Sequence, residues 1–180
     1  MSVHNDFLEF FDMLIRATGK VEGHYFEVIA AGEEDSKYLE RVYCYELYHR
    51  IREMMPLGYA YVLDGELDKA GNPLVRQNVG PRKPDFIVHV PREMGDNLAV
   101  MEVKSARASW NDIGKDLEVL NSFVTRAGYH RAIYLIYGEA RRGIEPFRVA
   151  LRELRDEVRE DRVELVWHRT PGDEATVVEY

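Results

Sequence analysis

Cysteine is nearly absent: Cys44 is the only one in 180 residues. That excludes an intrachain disulfide and any zinc centre built from several thiolates. No stretch approaches the ~20 consecutive apolar residues that a bilayer-spanning helix requires. The first residues, Met1 to Leu14, have neither a basic leader nor a small-residue cleavage site, so no export signal is expected. Internal repeats, low-complexity tracts and obvious linkers are missing as well. With 46% hydrophobic and 31% charged residues, the composition suits one domain over residues 1–180 that carries its own core. The expected location is the cytoplasm, with no membrane partner.

An excess of basic charge is also lacking. Asp and Glu number 32 against 24 Lys and Arg, for a formal net charge of -8. Taken as a sum, this disfavours a polyanionic partner, because phosphate binding draws on Lys and Arg. The distribution is less simple. Acids crowd at Glu33, Glu34 and Asp35, along 153–161 and near the C-terminus. Arg76, Arg82 and Lys83 follow Lys69 with no Asp or Glu between them, and Lys104 and Arg107 stand in another acid-free stretch. Such a local positive rim can steer a charged ligand on an acidic protein.

What is present is a change of period along the chain. Phe7, Leu8, Phe11, Leu14 and Ile15 form a helical stripe within 3–18. Ser36 is placed to cap a second helix over 37–55, closed by Pro56 and Gly58. Strand formers then cluster at 59–64, 85–90 and 98–104, with turn residues at 68–73 and 91–97. A helix is expected over 111–126, with Ile113, Leu117, Leu120 and Val124 on one stripe. The apolar run 131–137 reads as a strand buried on both faces. A charged helix over 145–160, a strand around 163–167 and an edge strand within 176–180 complete the order. This order predicts an α/β fold, a mixed sheet covered by helices on both faces.

The chemistry concentrates on the 85–104 hairpin. Pro84-Asp85 opens one strand and Glu102-Val103-Lys104 closes the next. Because side chains alternate, Glu102 and Lys104 share a face and Val103 takes the other. If Val90 pairs with Asn97, Asp85 falls opposite Glu102; a slip of one residue turns it away. Two carboxylates meeting at one point make a hard oxygen site suited to Mg²⁺, or to Mn²⁺ in its place. The Val103 carbonyl lies between them, and Lys104 adds a compact positive charge.

This pattern, Pro84-Asp85, a gap, then Glu102-Val103-Lys104, resembles the motif of the PD-(D/E)XK nuclease superfamily, to which many restriction endonucleases belong. The resemblance covers about 36–137 and implies a restriction endonuclease-like fold and Mg²⁺-dependent hydrolysis of phosphodiesters. DNA is the substrate it implies first, with RNA second. Asp85 and Glu102 would bind the metal and Lys104 would assist the attacking water. In that superfamily a preceding helix commonly adds a glutamate. Here Leu39, Val42, Tyr43, Glu46, Leu47 and Arg50 share one stripe, so Glu46 is carried over ahead of Glu40, which lies off it. With no separate recognition domain in evidence, specificity would come from loops, a homodimer or a partner protein. The alternative is a catalytically silent module that keeps the nuclease fold for interactions.

Lesser signals read more plainly. Glu66 is expected as a solvated acid beside a turn and His89 as a hydrogen-bonded sheet histidine. Arg50 is expected to pair with Glu46 one helical turn away. The tyrosines between 38 and 61 are expected mainly in the core or half buried, and Trp110 is assigned to packing over base stacking.

Overall fold

The computed structural model describes residues 2–29, 32, 35–65, 83–93, 97–139, 142–153 and 162–180. Among these, the helices are α1 (Val3–Thr18), α2 (Gly23–Phe26), α3 (Glu40–Met54), α4 (Trp110–Arg126) and α5 (Glu145–Glu153). The strands are β1 (Val62–Gly65), β2 (Phe86–His89), β3 (Asn97–Ser105), β4 (Tyr129–Tyr137), β5 (Val163–His168) and β6 (Thr176–Val177). They form one six-stranded sheet in the order β1-β2-β3-β4-β5-β6. β1, β2 and β3 run antiparallel, β3, β4 and β5 parallel, and β6 returns antiparallel to β5. The α/β class and the mixed sheet are those expected. Glu66, Lys69, Arg76, Arg82, Arg141, the 68–73 turn and the 154–160 end of the charged helix lie outside the described residues.

Alternation along the strands divides the core between the two faces. Phe86, Val88, Met101, Val103, Ile133 and Leu135 pack with α1 and α3. Ile87, Val100, Ala132, Tyr134 and Ile136 pack with α4 and α5 on the other side. Both parallel crossovers, through α4 and through α5, thus lie on one face, as equal handedness requires. The C-terminal ends of β3, β4 and β5 share one edge of the sheet, and antiparallel β2 begins there.

Three local expectations are corrected. The buried face of α1 runs through Phe7, Phe10, Leu14 and Ala17, while Leu8 is 50% exposed. The period was read correctly, but the stripe is rotated toward Phe10. Ser36 does not cap α3. Lys37 instead exchanges two backbone hydrogen bonds of 2.9 Å with Val28, which holds that stretch extended until Leu39. The segment between α1 and α3, where no element was assigned from the sequence, contains the short helix α2.

At the end of β5 the sheet buries His168 completely, with Nδ1 2.7 Å from the Tyr43 hydroxyl. Burial pushes its pKa down to about 4. A histidine depressed in the folded state contributes full stability above its unfolded pKa of about 6.5 and loses it as the pH falls toward the folded value. At pH 5 the loss relative to pH 7.5 should be about 2 kcal/mol. Urea unfolding at the two pH values should therefore show a loss smaller by about that amount in His168→Gln. An equal loss in both proteins would place the acid sensitivity elsewhere.

Candidate active site

Phe86 stands opposite Met101, so the pairing carried one step further sets Asp85 opposite Glu102. The expected register holds from Phe86 to Val88. Nearer the turn, an irregularity between Val88 and His89 brings Asn97 opposite His89, where Val90 had been expected. The bulge takes up the extra residue far from Asp85 and leaves its facing unchanged. Asp85 Oδ2 accepts a 2.8 Å hydrogen bond from the Val103 N–H. Its carboxyl faces Glu102, and its charge bears on that acid. The backbone N–H thus fixes Asp85 beside Glu102.

Such a pair is electrostatically uncomfortable. Burial raises the Asp85 pKa, even though the Val103 N–H, Glu102 and Lys104 work against the rise. Glu102 is raised further, first by burial and then by the negative charges of Asp85 and Asp116. Lys104 is the single partly exposed residue of β3 and projects beside them. Burial opposes its charge, but Asp116 and Glu40 outweigh burial and hold the ammonium firmly protonated. Nζ lies 3.2 Å from Glu40 Oε2 and 3.4 Å from Asp116 Oδ2.

Both of these acids come from helices. Glu40 opens α3, and its second oxygen accepts a 3.2 Å hydrogen bond from the Ser105 N–H. Asp116 lies on α4 and accepts a 3.1 Å hydrogen bond from the Tyr134 hydroxyl. Tyr134 pairs with Glu102 across β3 and β4 and so shares its face. Glu46, the glutamate carried over to the metal from the sequence, is elsewhere. It is buried against Arg50, with 2.6 Å between Oε1 and Nε, and Arg50 also reaches Glu22 and Glu53. Six residues of helix move a side chain about 9 Å along the axis and about a third of a turn around it. Glu40 and Glu46 therefore serve different sides of α3. The acid next to Lys104 is Glu40.

No family model, curated protein or solved structure matches the chain. The assignment of chemistry therefore rests on the side chains. Four carboxyl groups, Asp85, Glu102, Glu40 and Asp116, surround one lysine, so an added cation would relieve the arrangement. Among the described residues, no group of three or more His, Cys, Asp or Glu is disposed to hold a metal ion. Glu40 and Asp116 are engaged by Lys104, which leaves Asp85 and Glu102 as the convergent pair. That donor set fits Mg²⁺, which is commonly held by one or two carboxylates, with water and substrate oxygens completing the shell. It does not fit a closed zinc site, which wants nitrogen or sulfur.

The remaining signals settle into structural roles. His89 Nε2 lies 2.8 Å from Asp64 Oδ2, the hydrogen-bonded sheet histidine expected. Arg107 stacks over the Tyr38 ring at 4.3 Å and lies 3.5 Å from Glu27. Trp110 opens α4 with half its surface exposed, so it is less a packing residue than expected. Among the described residues, no helix is long and apolar enough to cross a membrane.

Proposed function

We propose that this chain is a metal-dependent nuclease that hydrolyses phosphodiester bonds, with DNA ahead of RNA as substrate, on a restriction endonuclease-like form of the mixed sheet. The observation that carries the reading is the convergence of Asp85 and Glu102 beside Lys104 where β2 begins and β3 ends. A buried acidic pair is a poor way to stabilise a sheet edge. It is a suitable way to hold a hard cation.

Asp85 and Glu102 would hold Mg²⁺, with the Val103 carbonyl as a further oxygen. The bound ion supplies Lewis acidity toward the phosphodiester and lowers the pKa of a water. Lys104 orients the attacking water or faces the negative charge on the phosphoryl oxygens, a task suited to a compact ammonium. Glu40 and Asp116 fix Nζ from two sides, and Tyr134 fixes Asp116.

Cleavage of end-labelled DNA and RNA with Mg²⁺ or Mn²⁺ tests the reading, and Asp85→Ala should abolish it. Cleavage that survives in purified Asp85→Ala overturns the assignment. A second comparison separates the two helix glutamates. Glu40→Ala should lower kcat by about a hundredfold through the loosened lysine, whereas Glu46→Ala should stay within about twofold, because Arg50 keeps Glu22 and Glu53 as partners. The reverse order would return the site to Glu46.

One observation favours a second reading, a silent module of the same fold. Lys104 is paired with both Glu40 and Asp116, and among the described residues no third acid joins Asp85 and Glu102 to hold a metal. That reading predicts no metal binding at the hairpin.

A further inference from the structure

A cleft of about 620 Å³ opens beside Asp85, between α3 and the β1–β2 edge of the sheet. This is the size of a site for a small organic group and far more than a hydrated ion needs. α3 lines it with Arg41, Cys44, Tyr45 and Tyr48, at spacings of three, one and three residues. Arg41, Tyr45 and Tyr48 form one helical stripe, and buried Cys44 marks its border with the core stripe of Tyr43, Leu47 and Ile51. β1 and β2 contribute Asp64, Gly65 and Phe86. Tyr48 and Phe86 lie nearly parallel, at 17° and 6.3 Å between ring centres. Tyr45 is 65% exposed, so its ring is largely free of the core.

Charge narrows the choice of occupant. Asp64, Asp85 and Glu40 line the cleft with Arg41, so acids outnumber the base. A phosphate or a duplex backbone is unwelcome there. A flat, neutral group that stacks on tyrosine is not. Asp85 and Glu40 also belong to the proposed catalytic cluster, so a group in the cleft would be joined closely to whatever is cut. A base that remains paired and stacked in a duplex cannot enter such a cleft.

We propose that the cleft between α3 and the β1–β2 edge receives an unpaired nucleobase next to the scissile phosphate, with Tyr45 as a stacking wall. The protein then acts on strands that are unpaired at the cut. This inference rests on the nuclease reading. Tyr45 touches the base in this scheme and no reacting atom, so it is a specificity residue.

The test compares wild type, Tyr45→Ala and Tyr45→Phe in Mn²⁺ on three substrates of one sequence: a single strand, the full duplex, and single strands with an abasic position scanned across the cut. Wild type should cut the single strand at least about tenfold more efficiently than the duplex. Tyr45→Ala should lose about tenfold on the intact single strand, mainly in KM, and lose nothing on the strand whose abasic position removes the bound base. Tyr45→Phe should keep the wild-type values. Preference for continuous duplex, or an equal loss for Tyr45→Ala on every substrate, overturns the base pocket while the nuclease reading stands. If no substrate is cut, the nuclease reading fails, and equilibrium binding of the same single strands in Ca²⁺ decides the pocket. Tighter binding that vanishes both with Tyr45→Ala and with the abasic position keeps it; binding indifferent to both overturns it.

Discussion

Stripped of metal, Glu102→Gln should unfold at a higher temperature than wild type and cut no nucleic acid. Glu102 is buried, and its charge is opposed by burial and by the nearby charges of Asp85 and Asp116. Glutamine has nearly the same shape, removes the charge and offers an amide N–H to the neighbouring Asp85. Removing a buried charge of this kind recovers on the order of 1–2 kcal/mol. In a chain of this size that is a rise of roughly 3–6 °C in Tm. The same change takes away one of the two convergent carboxylates, and cleavage should fall by at least about a thousandfold. Mn²⁺ should raise the Tm of wild type and leave Glu102→Gln unmoved. A wild-type Tm above that of the variant without metal would mean that the acids stabilise the sheet edge by themselves.

Lys104→Ala should move stability in the opposite direction. Nζ stands between Glu40 and Asp116, with the Asp85–Glu102 pair close by, and its side chain is 18% exposed. Taking out that ammonium leaves Glu40, Asp116, Asp85 and Glu102 without its charge. Removing one partner of a largely buried pair costs about 3 kcal/mol or more. Cleavage should fall by at least about a hundredfold, since a charge aimed at the transition state is lost. Urea unfolding and initial cleavage rates measure the two effects. A compensating variant separates them: Lys104→Met with Asp116→Asn should recover much of the stability and none of the activity. Recovery of activity in the double variant would show that Lys104 acts only as a structural counter-ion.

These opposite signs follow from geometry that was partly legible in the sequence. Alternation placed Glu102 and Lys104 on one face, and their position at the end of an apolar strand marked them as out of place in a core. The register that sets Asp85 opposite Glu102 was one of two open choices, and the pairing of Phe86 with Met101 decides it. Position on a helix misled where it was used alone. Glu46 lies on the inward stripe of α3, but an arginine one turn later satisfies it, and that pairing was itself foreseeable from the spacing. Glu40 was passed over because it lies off the stripe, yet the first turn of α3 is the part that reaches the end of β3. Asp116 had a signal that went unread. It falls between Ile113 and Leu117 on the inward stripe of α4, an acid where an apolar residue would be expected. The bulge at Val88 and His89, the short helix α2 and the extended backbone at Lys37 depend on tertiary pairing that no local pattern encodes.

The central claim is that Asp85 and Glu102 form a cation site. A calorimetric titration of Mn²⁺ into the wild-type protein, beside Asp85→Asn of equal foldedness by circular dichroism, tests it most directly. The account predicts one saturable site per chain in wild type at millimolar metal or below, lost in Asp85→Asn. A folded wild type that takes up no Mn²⁺ in that range, or a variant that binds it equally well, would contradict the account.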